Sequence, residues 1–125
     1  MSQGRVLVVD DQPQVVGILR DLLQHFGYDT SSAASAEEAF AAIARVRPHV
    51  VFLDLQLPGI SGLEALLYFR QHHPEVPVIV VTGNPEHEMA RQARAGGAFE
   101  VIAKPFSLIA LKNLVAQAMK VAPPA

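Results

Sequence analysis

Short runs of Val, Ile, Leu and Phe alternate along this chain with longer stretches in which apolar residues return every three or four positions. The runs at residues 5–9, 28–32, 49–53, 78–81 and 99–102 read as strands, the third and fourth apolar enough to be buried on both faces. Val15, Ile18, Leu19, Leu22 and Phe26 fall on one face of a helix that ends at Gly27. Ser35, ahead of Glu37 and Glu38, reads as the capping box of a second helix, which Arg47 and Pro48 stop. Ser61 and Gly62 open a third, which ends before Pro74. Pro85 stands where a fourth begins, and Gly96 and Gly97 where it ends. Leu108, Leu111, Leu114, Val115 and Ala118 line the last helix.

Five strand–helix units in this length predict an α/β fold: a flavodoxin-like, doubly wound, five-stranded parallel sheet of order 2-1-3-4-5 with five helices. With 125 residues, half of them hydrophobic, the chain suffices for one well-buried core and not for two. A single domain is therefore expected over residues 1–120. Residues 121–125 (VAPPA) are expected to form a tail or the start of a linker, because proline cannot continue a helix. No internal repeat is visible.

A formal net charge of -2 and a pI near 6.2 argue against a nucleic-acid-binding or anionic-membrane surface. The absence of cysteine excludes disulfides, thiolate metal sites and thiol nucleophiles. Only a short apolar stretch separates Met1 from Asp10 and Asp11, which leaves no room for a signal peptide or a membrane span, so a cytoplasmic location is expected.

In a parallel sheet every strand points its carboxyl end to the same edge, so residues that follow the strands gather there whatever their separation in sequence. Asp10 and Asp11 follow the first strand, Asp54 ends the third, Thr82 ends the fourth and Lys104 follows the fifth. The switch point of a 2-1-3-4-5 sheet lies between the first and third strands, which places three carboxylates around one crevice. A hard divalent cation relieves their repulsion, and sparse oxygen ligands favour Mg²⁺ over Zn²⁺ or a caged Ca²⁺. A carboxylate can attack phosphorus, and the Thr82 hydroxyl and Lys104 ammonium can neutralise the phosphoryl oxygens while Gly83 leaves space for their approach.

Residues 6–11 (VLVVDD), 52–59 (FLDLQLPG) continuing to Gly62, 80–83 (VVTG) and 104–106 (KPF) together resemble the receiver-domain signature of response regulators, over almost the whole chain. The resemblance implies that Asp54 is the phosphoacceptor. It also implies that Asp10, Asp11, Asp54 and the backbone carbonyl of Gln56 hold Mg²⁺, that Thr82 and Lys104 contact the phosphate, and that the bond to Pro105 is cis. The donor would be a phosphohistidine on a sensor histidine kinase or a histidine phosphotransfer protein. Such a domain catalyses its own phosphorylation and dephosphorylation without turning over a metabolite. Val101 occupies the position where receivers commonly carry an aromatic switch residue. Phe99, two residues earlier, is expected on the same face by strand alternation, as a partial substitute. The resemblance also places Val16 on a kinase-docking face, and Gln56 and Asn84 beside the path of water to the phosphorus.

Taken singly these features are ordinary: an acidic pair opens many turns, Thr ends many strands, and Lys-Pro punctuates loops. Their joint placement on one edge is what points to chemistry. His25, His49, His72, His73 and His87 show no ligand spacing and receive no catalytic role, and Met89 reads as core filler. A receiver-fold module that binds partners without phosphorylation is the alternative, motivated by Val101. A haloacid-dehalogenase-type phosphatase fits poorly because Gln56 stands where its second Asp is needed, and a flavin phosphate would meet two carboxylates. A phosphorylation-dependent dimer through the fourth helix, fifth strand and fifth helix is compatible with Arg91, Arg94, Glu100 and Lys112, which specify no particular pairing.

Overall fold

The computed structural model describes residues 3–84, 86–105 and 107–122. Strands β1 (Arg5–Val9), β2 (Asp29–Ala33), β3 (Val50–Asp54), β4 (Val78–Thr82) and β5 (Glu100–Ala103) alternate with helices α1 (Pro13–His25), α2 (Ala36–Arg45), α3 (Gly62–His72), α4 (Glu88–Ala95) and α5 (Leu108–Val121). All strands pair in parallel, in the predicted order β2-β1-β3-β4-β5.

Every residue of β3 and β4 is buried, as their unbroken apolar runs require of central strands covered on both faces. Period-two alternation divides the core into two layers. Leu7, Val9, Val51, Leu53, Val78 and Val80 face α2, α3 and α4, where Ile43, Leu66 and Phe69 are buried. Val6, Val8, Val50, Phe52, Ile79 and Val81 face α1 and α5, against Leu19, Leu23, Leu111 and Val115. Ser35, Ser61 and Ser107 cap α2, α3 and α5, each accepting from the amide three residues on. At α2 the reciprocal bond comes from Glu38 Oε1, which accepts from Ala34, one residue before the cap.

Several boundaries and orientations differ from expectation for identifiable reasons. After β1, the strands end one residue later than the hydrophobic runs suggest. Backbone pairing continues through the polar Asp54 and Thr82, opposite Val81 and Ala103 respectively. Ile18 is 59% exposed although it was expected on the buried stripe, and Leu23 is fully buried instead. Consecutive helix positions differ by about 100°, which swings Ile18 off the face centred on Leu19. Phe99 does not share a layer with Val101: it packs with Ile79 and Val115, whereas Val101 joins Leu66 and Ala93. It precedes the first residue of β5, just after Gly97 in the left-handed region at φ 100°, so strand alternation does not reach it. The expected start of α4 at Pro85 lies outside the described residues, and the helix itself begins at Glu88. Helix α5 includes Val121, the first residue of the expected tail, and residues 123–125 lie outside the described ones.

Gly62 fixes how α3 meets the sheet. A Cβ there would overlap the Asp54 carbonyl oxygen and Leu55 Cα, both main-chain atoms with nowhere to retreat. Gly62→Ala is expected to destabilise the domain by about 1–3 kcal/mol or more through overpacking, read as a lower urea midpoint at unchanged slope.

His49 ties the opposite edge of the sheet, its Nδ1 accepting from the Arg5 amide at 2.9 Å. Burial, then the charges of Arg5 and Arg47, lowers its pKa from the ordinary imidazole value. The folded chain therefore binds a proton at His49 less readily than the unfolded chain does. The resulting stabilisation is full above about pH 6.5 and is lost as pH falls through the folded value. In chemical denaturation between pH 7.5 and pH 5, the native chain should lose more stability than His49→Leu. Parallel losses would contradict this.

Candidate functional site

Three polar or charged residues are buried among those described, Asp10, Asp54 and Thr82, at 4%, 7% and 5% exposure, and all three lie at the carboxyl edge of the sheet. Topology brings them there: Asp10 directly follows β1, Asp54 and Thr82 are the last residues of β3 and β4, and Lys104 directly follows β5. Val9 pairs with Leu53, Asp54 with Val81, and Thr82 with Ala103, so the four strand ends are nearly level. The Lys104 amide donates to the Thr82 carbonyl at 2.9 Å, extending the ladder one step beyond β5. The Lys104–Pro105 peptide bond is cis.

Both buried carboxylates are oriented by backbone. Asp10 Oδ1 accepts from the Gln12 amide at 2.8 Å, and Asp54 Oδ1 from the Gln56 amide at 3.0 Å. Each Oδ2 lies 3.6 Å from the Lys104 ammonium, which bridges the pair. Asp11 is exposed, yet Asp10, Asp11 and Asp54 each offer a carboxylate oxygen within 4.8 Å of the others. Three carboxylates against one ammonium leave the cluster short of positive charge. Its donors are all hard oxygens, a set suited to Mg²⁺ and poorly suited to metals that prefer sulfur or imidazole.

Burial raises the Asp54 pKa above the ordinary carboxylate value, and Asp10 and Asp11 add to the rise. The hydrogen bond from Gln56 and the charge of Lys104 oppose it. A divalent cation would act in the same sense as Lys104 and favour the ionised, nucleophilic form.

The residues singled out in sequence separate into those that meet here and those that do not. Asp10, Asp11, Asp54 and Lys104 converge, with Thr82 beside them in the ladder. Gly83 is open, since a Cβ on it would meet no atom within 4 Å. Val101 is buried in the layer against α3 and α4, away from this cluster of charges. Val16 lines a cleft of about 310 Å³ together with Asp10, Asp11, Gly17, Arg20 and Ala34, adjoining the carboxylates. Sequence reading overlooked the way Gly62 abuts the Asp54 main chain and the bonds that Asn84 makes to Thr82. Both involve backbone atoms, which leave no residue-type signal beyond the glycine itself.

Among the described residues, no helix is long and apolar enough to cross a membrane. Residues 6–116 match the family model of the response regulator receiver domain. The nitrogen assimilation regulatory protein NtrX of Azorhizobium caulinodans is 38% identical over 92% of this chain and 26% of its own length. The sporulation initiation phosphotransferase F of Bacillus subtilis is 30% identical, over 92% of this chain and 93% of its own. The crystal structure of the receiver domain of NtrX from Brucella abortus superposes with a TM-score of 0.87 at 35% identity, covering 92% of this chain and 98% of that one. The chain spans about a quarter of the length of several curated relatives it matches, NtrX among them. With the predicted strand order, the acidic edge and these matches all in agreement, the chain belongs to the response regulator receiver domain family.

Proposed function

We propose that this receiver accepts a phosphoryl group on Asp54 from a phosphohistidine, carried by a sensor histidine kinase or a histidine phosphotransfer protein, and that the modified domain changes its affinity for a downstream partner. The observation that carries the reading is the pair of buried carboxylates, Asp10 and Asp54, sharing the Lys104 ammonium at 3.6 Å. A fold gains nothing in stability from burying like charges so close together, whereas phosphoryl transfer needs them there.

Asp10, Asp11, Asp54 and the Gln56 carbonyl would hold Mg²⁺, which when bound offsets the negative charge of the carboxylates and the incoming phosphoryl group. Asp54 Oδ1 is pinned by the Gln56 amide, which leaves Oδ2, the oxygen facing Lys104, as nucleophile. As the new O–P bond forms, the N–P bond of the donor breaks and the imidazole nitrogen leaves with the electron pair. Lys104 and Thr82 neutralise phosphoryl oxygens, and Gly83 gives them room. Hydrolysis of the acyl phosphate returns Asp54 to its starting state, with Gln56 and Asn84 bordering the approach of water. Residues around the cleft at Val16 would meet the donor protein.

Intact-mass measurement in acetyl phosphate tests the chemistry. The chain should gain one phosphoryl adduct that depends on Mg²⁺, is absent from Asp54→Ala and is strongly reduced in Lys104→Met. No adduct with acetyl phosphate or with a kinase donor would instead favour a receiver-fold module that acts without phosphorylation.

Removing the nucleophile should also strengthen the fold. Asp54→Asn keeps shape and hydrogen-bonding capacity while deleting a buried charge that Asp10 and Asp11 repel. In Mg²⁺-free buffer at pH 7 it should gain on the order of 1 kcal/mol, raising Tm by a few degrees. A loss of stability would contradict the balance of forces given for this edge.

A further inference from the structure

The net charge of -2 conceals an uneven distribution. Each helix starts at the carboxyl edge of the sheet and ends at the amino edge. Glu37, Glu38, Glu64 and Glu88 stand in the first turns of α2, α3 and α4, whereas Arg45, Arg70, Arg94 and Lys120 stand in the last turns of α2, α3, α4 and α5. The helix dipole favours both placements. It does not account for Arg5, which opens β1, or for Arg47, between α2 and β3, which bring further guanidinium groups to the amino edge. The two are linked, since Arg5 Nε and Nη2 donate to the Arg47 carbonyl at 3.2 and 3.0 Å. Of the acids at this edge, Glu75 is paired with Arg47 at 3.4 Å, Glu100 accepts from the Val101 amide at 3.0 Å, and Asp29 stands beside Arg5 in the ladder. Among the described residues, no carboxylate forms an ion pair with Arg5, Arg45 or Arg70. A cleft of about 310 Å³ opens at the same edge, lined by Arg70, Pro74, Glu75, Pro77, Phe99 and Val121, together with Gly97. Val121 is 60% exposed there. Arg70 is fixed in the wall: its Nη1 donates to the Pro74 carbonyl at 2.8 Å, and Gly97, whose added Cβ would come within 3.0 Å of Nε, lets the turn before β5 lie against the guanidinium.

We propose that the amino edge is a docking face for an acidic protein segment that carries one bulky apolar residue. Its carboxylates meet Arg45 and Arg70, and the apolar side chain enters the cleft beside Pro77, Phe99 and Val121. Charge complementarity selects the acidic partner, and arginine suits carboxylates because its planar fork can hold both oxygens at once. The apolar half of the lining selects protein over nucleic acid. A phosphate backbone gains nothing from Phe99, the prolines or Val121, and it would need positive charge that Asp29, Glu75 and Glu100 do not interrupt. An apolar anchor in a pocket ringed by polar groups is, by contrast, the usual centre of a protein contact. The inference does not rest on phosphorylation. The two edges lie at opposite ends of β3, so a segment docked beside Arg70 leaves Asp54 open to its donor.

The probe is a fluorescent peptide with a central leucine flanked on each side by four glutamates, its binding followed by anisotropy and its contacts mapped by NMR. Amide shifts should gather at the end of α3, at Gly97 and Phe99, and at Val121. Affinity should fall as NaCl rises from about 0.05 to 0.3 M. Arg45→Glu should weaken binding about five-fold, and replacing the peptide's leucine with glutamine about ten-fold. Val121→Glu should act in the same direction. Arg45 and Val121 are exposed, so both variants should fold. Arg91→Glu makes the same change in net charge at a guanidinium that faces Glu88, and it should leave affinity unchanged. Equal weakening by Arg45→Glu and Arg91→Glu would overturn the proposal, as would indifference to the leucine or no binding at about 1 mM peptide. Tighter binding of a DNA duplex would overturn it in favour of a phosphate partner. Self-association of the chain that Arg45→Glu abolishes would overturn it in favour of the acidic edge of a second copy.

Discussion

The Lys104 ammonium stands 3.6 Å from each of two carboxylates, Asp10 and Asp54, that are themselves almost fully removed from water. At such distances, with the effective dielectric of a protein, two unit charges interact by about 4 kcal/mol, so the carboxylates could not share the edge without a cation between them. The rest of the molecule serves to keep that arrangement in place. Strands β1, β3 and β5 carry its three members on their carboxyl ends. The two apolar layers hold those strands level, and backbone amides at Gln12 and Gln56 fix the rotation of the two acids. Asp54 ionises less readily than an ordinary carboxylate because of burial, and Lys104 limits the rise. The edge is therefore poised, with enough positive charge to be stable and too little to be satisfied.

Much of this was legible in the sequence because parallel topology turns a one-dimensional order into a shared edge. Asp10, Asp11, Asp54 and Lys104 are scattered along the chain, yet each follows or ends a strand, and that alone predicts their meeting. The 2-1-3-4-5 order followed in the same way from five strand–helix units. What the residue pattern did not convey was reach. Hydrophobic runs stop at Leu53 and Val81, while the hydrogen-bond ladder carries on through Asp54 and Thr82, because backbone pairing is indifferent to side-chain polarity. Asp54 is thus a strand residue, held by the ladder.

Other features were hidden for related reasons. Alternation placed Phe99 beside Val101, but the rule holds only within a strand, and Phe99 lies before the start of β5 and turns to the opposite layer. Ile18 matched a helical spacing of apolar residues while standing a quarter-turn from the packing face. The fit of Gly62 against the Asp54 carbonyl and the cluster of bonds at Asn84 are main-chain contacts, and composition and periodicity carry no trace of them.

The outermost strand on one side has a different bearing on how the domain lives among other proteins. Strand β2 reads Asp29, Thr30, Ser31, Ser32 and Ala33, and of these only Ala33 is buried. Its outer backbone edge is an invitation to pair with a foreign strand, yet its side chains before Ala33 are short and polar, so a joining strand would find little apolar surface to cover. The sheet thus ends in water on that side by virtue of its own sequence. A continuous apolar run of the kind that makes β3 and β4 good interior strands would, at this outer position, make the domain liable to self-association.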